Sequence, residues 1–227
     1  MTMRSLQYLA ILCCQSATIV AAHGYLSQPS ATYIDQRTKT GYVARVDGNQ
    51  MFGGLKWDDS PSANSDQLTQ KINDGSMPDL KTFFANNYAT GCPKNNLDVS
   101  IQVSGLSSFK WQNDQEQKGF IDSHEGPCEV WIDSTKVFSD TDCARKYKSY
   151  PAEIPIKYNA CSGTCKFEFY WLALHEPMWQ LYKACATIVN NPSPSASISP
   201  SPTQSSSQNS SCGTPTPTPC SLPIKEY

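Results

Sequence analysis

The stretch Lys166-Phe167-Glu168-Phe169-Tyr170-Trp171 decides the fold class. Phe167, Phe169 and Trp171 recur with a period of two, and Lys166 and Glu168 occupy the alternate places. That alternation is the mark of a strand with one face buried and the other in water. Working outward, Val99, Ile101 and Val103 repeat it upstream, and Ala184, Ala186 and Ile188 repeat it downstream. Glu129–Ile132 and Ile154–Tyr158 are compact strand candidates. Asp66–Ile72 and Asp79–Asn86, in an otherwise irregular region, are expected as short helices. Short strands separated by turn residues imply an all-β chain. The expected fold is an antiparallel immunoglobulin/fibronectin-like β-sandwich with long loops and a few short helices.

The ends of the chain have a different character. Residues 1–22 carry one early positive charge, an apolar run around Leu9–Leu12, and small residues at Val20-Ala21-Ala22. This is the pattern of a secretory leader cut after Ala22. Residues 23–190 then form the expected domain. Residues 191–227 are rich in Ser, Pro and Thr and poor in apolar groups, which cannot offset the entropy of ordering them. They read as a disordered, glycosylated stalk with a sequon at Asn209-Ser210-Ser211. Of ten cysteines, Cys13 and Cys14 fall in the leader, Cys212 and Cys220 in the tail, and six in the domain. Even counts in a secreted chain indicate disulfides. Spacing alone does not fix their connectivity. Closeness suggests Cys161–Cys165 and Cys128–Cys143, which leaves Cys92–Cys185. Between His23 and Asn190 there are 16 basic and 19 acidic residues, a net charge of −3. Such a balance has no footprint for nucleic acid, and no segment is apolar enough to span a membrane.

The chain has three histidines. Cleavage after Ala22 would make His23 the first residue, offering both an α-amine and an imidazole nitrogen to one metal ion. His124 lies in the turn-like stretch Asp122-Ser123-His124-Glu125-Gly126-Pro127, where it is expected to be exposed. His175 ends a strand, and Gln180 and Tyr182, two apart in the next one, are expected on a shared face. Each has an ordinary alternative: a solvated loop histidine, a strand-end histidine bonded to a carbonyl, a buried tyrosine with a satisfied hydroxyl. Together they make a nitrogen-rich donor set of one amine and two imidazoles. Such a set suits copper better than a hard cation. Tyr182 would offer a distant oxygen, and His175 and Gln180 hydrogen bonds beside the metal.

These residues carry a family resemblance. His23-Gly24-Tyr25, Ser123-His124-Glu125-Gly126-Pro127, and the run from Ala173-Leu174-His175 to Gln180-Leu181-Tyr182-Lys183-Ala184-Cys185-Ala186 resemble the motifs of lytic polysaccharide monooxygenases. The resemblance implies one copper ion per domain, held by His23 and His124 with Tyr182 axial, while His175 and Gln180 assist catalysis. It also implies oxidative cleavage of a cell-wall polysaccharide using O2 or H2O2, an external electron donor, a secreted monomer, and Cys185 as half of a disulfide. Only four residues separate His175 from Gln180, fewer than is usual in the family. The short domain, the loops and the tail look most similar to the oomycete branch associated with pectin, which implies a homogalacturonan substrate.

A polyanion needs local positive charge. Arg37, Lys39 and Arg45, with Arg145, Lys146 and Lys148, are the candidates, and Tyr25 and Tyr33 would add stacking surface. The rival readings are a non-catalytic copper-binding surface protein, a cellulose-active monooxygenase, and a wall-binding module without metal. Nothing in the Asp/Glu spacing demands a glycoside hydrolase.

Overall fold

The computed structural model describes residues 24–88 and 91–191. The expected leader, His23, and the tail from residue 192 with its sequon, Cys212 and Cys220 lie outside the described residues. In chain order the strands are β1 (Tyr25–Gln28), β2 (Ala44–Asp47), β3 (Ser100–Gln102), β4 (Ser108–Gln112), β5 (Cys128–Ile132), β6 (Thr135–Asp140), β7 (Ala152–Pro155), β8 (Gly163–Ala173) and β9 (Met178–Asn190). Among the described residues four short helices interrupt them: α1 (Gly48–Met51), α2 (Pro61–Asn73), α3 (Leu80–Asn87) and α4 (Cys143–Lys146). Among the described residues no helix is long and apolar enough to cross a membrane.

Two sheets form the all-β sandwich. The smaller has the order β1-β4-β7, and the larger runs β2-β9-β8-β5-β6. All of these pairs are antiparallel. The exception is β3, which lies parallel to β9 at Thr187–Val189. The β8/β9 hairpin is the spine, paired without a break from Gly163↔Asn190 to Ala173↔Gln180. Between the sheets pack Leu26, Phe109, Trp111, Phe167, Phe169, Trp171 and Tyr182.

The half-buried expectation for β8 is corrected. A second cluster covers the outer face of the larger sheet, with Trp57, Leu68, Phe83 and Phe84 packed on Tyr170, Leu172, Trp179 and Leu181. Both faces of β8 are therefore buried, and Glu168, expected in water, has a side chain only 1% exposed. Lys81, Lys166 and Lys183 each place an ammonium within 3.2 Å of its carboxylate. Buried charge is tolerated when paired in this way.

Local signals explain the helix bounds. Ser60 accepts from the Ala63 amide and Pro61 stands in the first turn, so α2 begins before the expected Asp66. Asp79 caps α3 through the Thr82 amide instead of lying within it. The strand expected at Ile154–Tyr158 shifts upstream to β7, because Tyr158 opens a 3-10 turn. Disulfides join Cys92–Cys185, Cys128–Cys143 and Cys161–Cys165, the three pairs suggested by closeness and remainder.

Candidate functional site

The β5/β8 ladder continues past the start of β5. Leu172 donates to the Pro127 carbonyl and Leu174 to the Glu125 carbonyl, each at 3.0 Å. This extension lays the loop before β5 along the end of β8, which sets His124 beside His175. The approach requires glycine at 126. Its φ is +148°, and a Cβ there would stand 2.1 Å from the Leu172 carbonyl oxygen.

The far side of the loop is pinned as well. Asp142 accepts from the Gly126 amide at 3.2 Å and from Ser65 Oγ at 2.7 Å. Arg145 reaches Glu125 at 2.8 Å, Asp66 at 2.9 Å and Asp142 at 3.2 Å. The Cys128–Cys143 bond fastens the same two segments covalently. Burial raises the Asp142 carboxyl above its ordinary range, opposed by its hydrogen bonds. In Glu125, the hydrogen bonds from Ser62 and Arg145 outweigh desolvation and lower the pKa.

The two imidazoles stack with centroids 3.8 Å apart and planes 21° from parallel. His124 is buried, not the exposed loop histidine expected, and the His175 side chain is 19% exposed. Ring nitrogen lone pairs lie in the plane of the ring. An ion about 2 Å from a nitrogen in one plane therefore sits well outside the other. Imidazoles stacked in this way do not chelate one ion, so one of the pair is a candidate ligand and the other a neighbour. Ser123 Oγ engages His124 Nδ1 at 3.0 Å, so Nε2 is the nitrogen this ring would offer to a metal ion.

Gln180 and Tyr182 share a face of β9, as their spacing suggested, and both are buried. Tyr182 stacks on Trp171, with centroids 4.5 Å apart, and donates its hydroxyl proton to Gln180 Oε1 at 2.6 Å. Gln180 Nε2 then faces Glu176 Oε1 at 3.2 Å and His175 Nε2 at 3.3 Å. A carboxylate only accepts, so the amide cannot be reversed. His175 Nε2 is thereby an acceptor, and its proton sits on Nδ1, a buried atom with no hydrogen-bond partner among the described residues. Burial lowers the His175 pKa, with Arg45 adding to it and Glu176 opposing, so the ring is neutral near pH 7. Desolvation pushes the Tyr182 phenol far up, and it stays protonated.

Gly24 lies beside this cluster. It is buried against Trp111, where a Cβ would meet the indole nitrogen at 2.2 Å. Trp111 in turn approaches Tyr182 edge-on at 6.4 Å. The donors so assembled, imidazole nitrogen and neutral phenol, fit a copper ion in chemistry. His23 lies outside the described residues. Elsewhere among them, ligand atoms of Cys92, Glu168 and Cys185 lie within 4.8 Å of one another. The two sulfurs are bonded to each other, so that group offers no thiolate. Comparison with protein-family models and with curated proteins gives no match for this chain.

The expected basic patch is largely neutralised. Arg37 pairs with Asp35, Arg45 with Glu176, Lys146 with Asp140 and Lys148 with Asp122, while Arg145 belongs to the loop network. Tyr33 is buried, with its hydroxyl accepting from the Leu26 amide, and offers no stacking surface. Sequence reasoning missed the roles of Ser123, Glu176 and Arg45. The adjacency of Ser123 to His124 and of Glu176 to His175 was the available signal. Arg45 reaches Glu176 only because β2 pairs with β9.

Proposed function

We propose that this chain is a secreted, copper-dependent polysaccharide monooxygenase that cleaves a plant cell-wall polysaccharide oxidatively, with homogalacturonan as the substrate. The observation that supports this reading best is the joining of His124, His175, Gln180 and Tyr182 into one stacked and hydrogen-bonded cluster. They come from two regions about 50 residues apart in the sequence. In this reading His124 Nε2 would hold the metal together with the amine and ring of His23, and copper held there would supply one-electron redox chemistry toward dioxygen or peroxide given a reductant.

The remaining roles follow from the geometry of the chain's own groups. Tyr182 contributes a neutral phenol oxygen, a weaker donor than an imidazole. His175 holds a proton at Nδ1 out of water, and Gln180 fixes that tautomer by donating to Nε2. Glu176 keeps Gln180 aimed, and Arg45 keeps Glu176 in place. The pectin assignment rests on the family resemblance of the loops and tail, and the neutralised basic candidates lend it no support.

The test is a copper titration followed by EPR and product analysis on the secreted protein, with its N-terminus read by mass spectrometry. One copper per chain, a nitrogen-rich axial spectrum and oxidised oligogalacturonides are expected. His124→Ala should weaken copper binding by more than the roughly 10–100-fold cost of losing an outer hydrogen-bond partner. Unchanged affinity in that variant, or a mature start other than His23, rejects the metal assignment. Tight copper binding with no oxidised saccharide from any polysaccharide leaves a non-catalytic copper protein. Oxidised products from cellulose alone reject the pectin assignment only.

A further inference from the structure

Five of the six basic residues considered for a polyanion are paired to carboxylates, and Lys39 is the exception. No carboxylate among the described residues lies within 4.0 Å of its ammonium, which instead sits 3.8 Å from the centroid of the Tyr25 ring. Asp114 is close enough to feel the charge, but its oxygens are committed elsewhere. They accept from Tyr25 Oη at 2.9 Å, Tyr150 Oη at 2.8 Å and Gln112 Nε2 at 2.6 Å.

The position of Lys39 is built. Residues 38–41 form a turn closed by the Gly41 amide on the Thr38 carbonyl at 3.1 Å. Half-buried Lys94 fastens the turn by donating to the Thr38 carbonyl at 2.7 Å and the Gly41 carbonyl at 2.5 Å. Tyr25 in turn is held by β1 pairing with Gln112 and by its bond to Asp114. An ammonium over an aromatic face keeps its charge and several donors. Holding it there in advance reduces the entropy cost of binding. Tyr25 follows Gly24, the residue packed on Trp111, directly in the sequence.

We propose that Lys39, held over the Tyr25 ring, is the group that takes up a carboxylate of a uronate-bearing polysaccharide and so sets the preference for an acidic over a neutral chain. This rests on the polysaccharide-oxidising reading above and adds to it the residue that selects the substrate class.

The experiment measures binding without turnover, using the copper-loaded secreted protein with no reductant. The probes are oligogalacturonides of one length, either de-esterified or fully methyl-esterified, and the proteins are wild type, Lys39→Gln and Lys39→Arg. Wild type should prefer the de-esterified ligand, and Lys39→Gln should weaken that binding about three- to fivefold at low salt, the scale of one exposed ion pair. The esterified ligand should bind all three proteins alike, Lys39→Arg should retain the preference, and added salt should erase the difference. With a reductant, Lys39→Gln should raise KM on the de-esterified ligand and leave kcat unchanged. No preference in wild type, or an equal loss on both ligands in Lys39→Gln, overturns the proposal. A clear preference that Lys39→Gln removes, with no oxidised product, upholds the Lys39 assignment while rejecting the monooxygenase reading, and a preference that survives Lys39→Gln overturns the assignment.

Discussion

A single amide side chain orders the candidate site. Gln180 accepts from a phenol on one side and donates to a carboxylate and an imidazole on the other, and only one orientation satisfies all three. That fixes which nitrogen of His175 carries the proton. Gln180→Glu preserves the shape and the bond from Tyr182 but removes both donors and sets a second carboxylate against Glu176. It should cost about 1–3 kcal/mol in stability, the scale of an unsatisfied buried polar group. It should also slow polysaccharide oxidation while weakening copper binding less than His124→Ala does. Thermal unfolding and copper titration of the two variants check this together. If Gln180→Glu turns over like wild type, the fixed tautomer has no part in the chemistry.

At the scale of elements, the decisive feature is the loop before β5, which behaves as an extension of the sheet. Gly126→Ala meets two penalties at once, a positive φ and a backbone clash, each about 1–3 kcal/mol. It should lower the melting temperature and disturb the His124–His175 stack. Reversing charge at Arg145 should likewise act through the loop, because three carboxylates converge on that guanidinium. The expected result is a lower melting temperature with little change in affinity for de-esterified oligogalacturonides, and an affinity loss without destabilisation would contradict it.

Much of this level was legible in the sequence. Alternation at Phe167, Phe169 and Trp171 marks β8, and the spacing of Gln180 and Tyr182 places them on one face. What stayed hidden depends on partners distant along the chain. The burial of His124 depends on Leu172 and Leu174, and the burial of Glu168 on helices that cover the outer face. No local pattern encodes either. β4 was missed although Phe109 and Trp111 alternate inward, whereas β1 and β2 are four residues each and too short for a period to emerge.

Across the whole molecule, the larger sheet is covered on both faces, and this puts a charged group where water is excluded. Burial by itself would raise the Glu168 pKa. The hydrogen bonds from Lys166 and Lys81 and the charge of Lys183 outweigh it and hold the carboxylate at about 2. A folded pKa below the unfolded value near 4.5 stabilises the fold above pH 4.5, and the benefit is lost as pH falls through about 2. By linkage that contribution is about 3 kcal/mol at neutral pH. Glu168→Gln should remove it and also strand three ammonium groups around a neutral amide, with a total cost of about 3–5 kcal/mol. Urea unfolding at pH 7 and pH 3 separates the two effects. The gap between wild type and Glu168→Gln should be largest at pH 7 and narrow toward pH 2. A gap that does not change with pH would mean that Glu168 supports the sheet through its shape and hydrogen bonds, not through its charge.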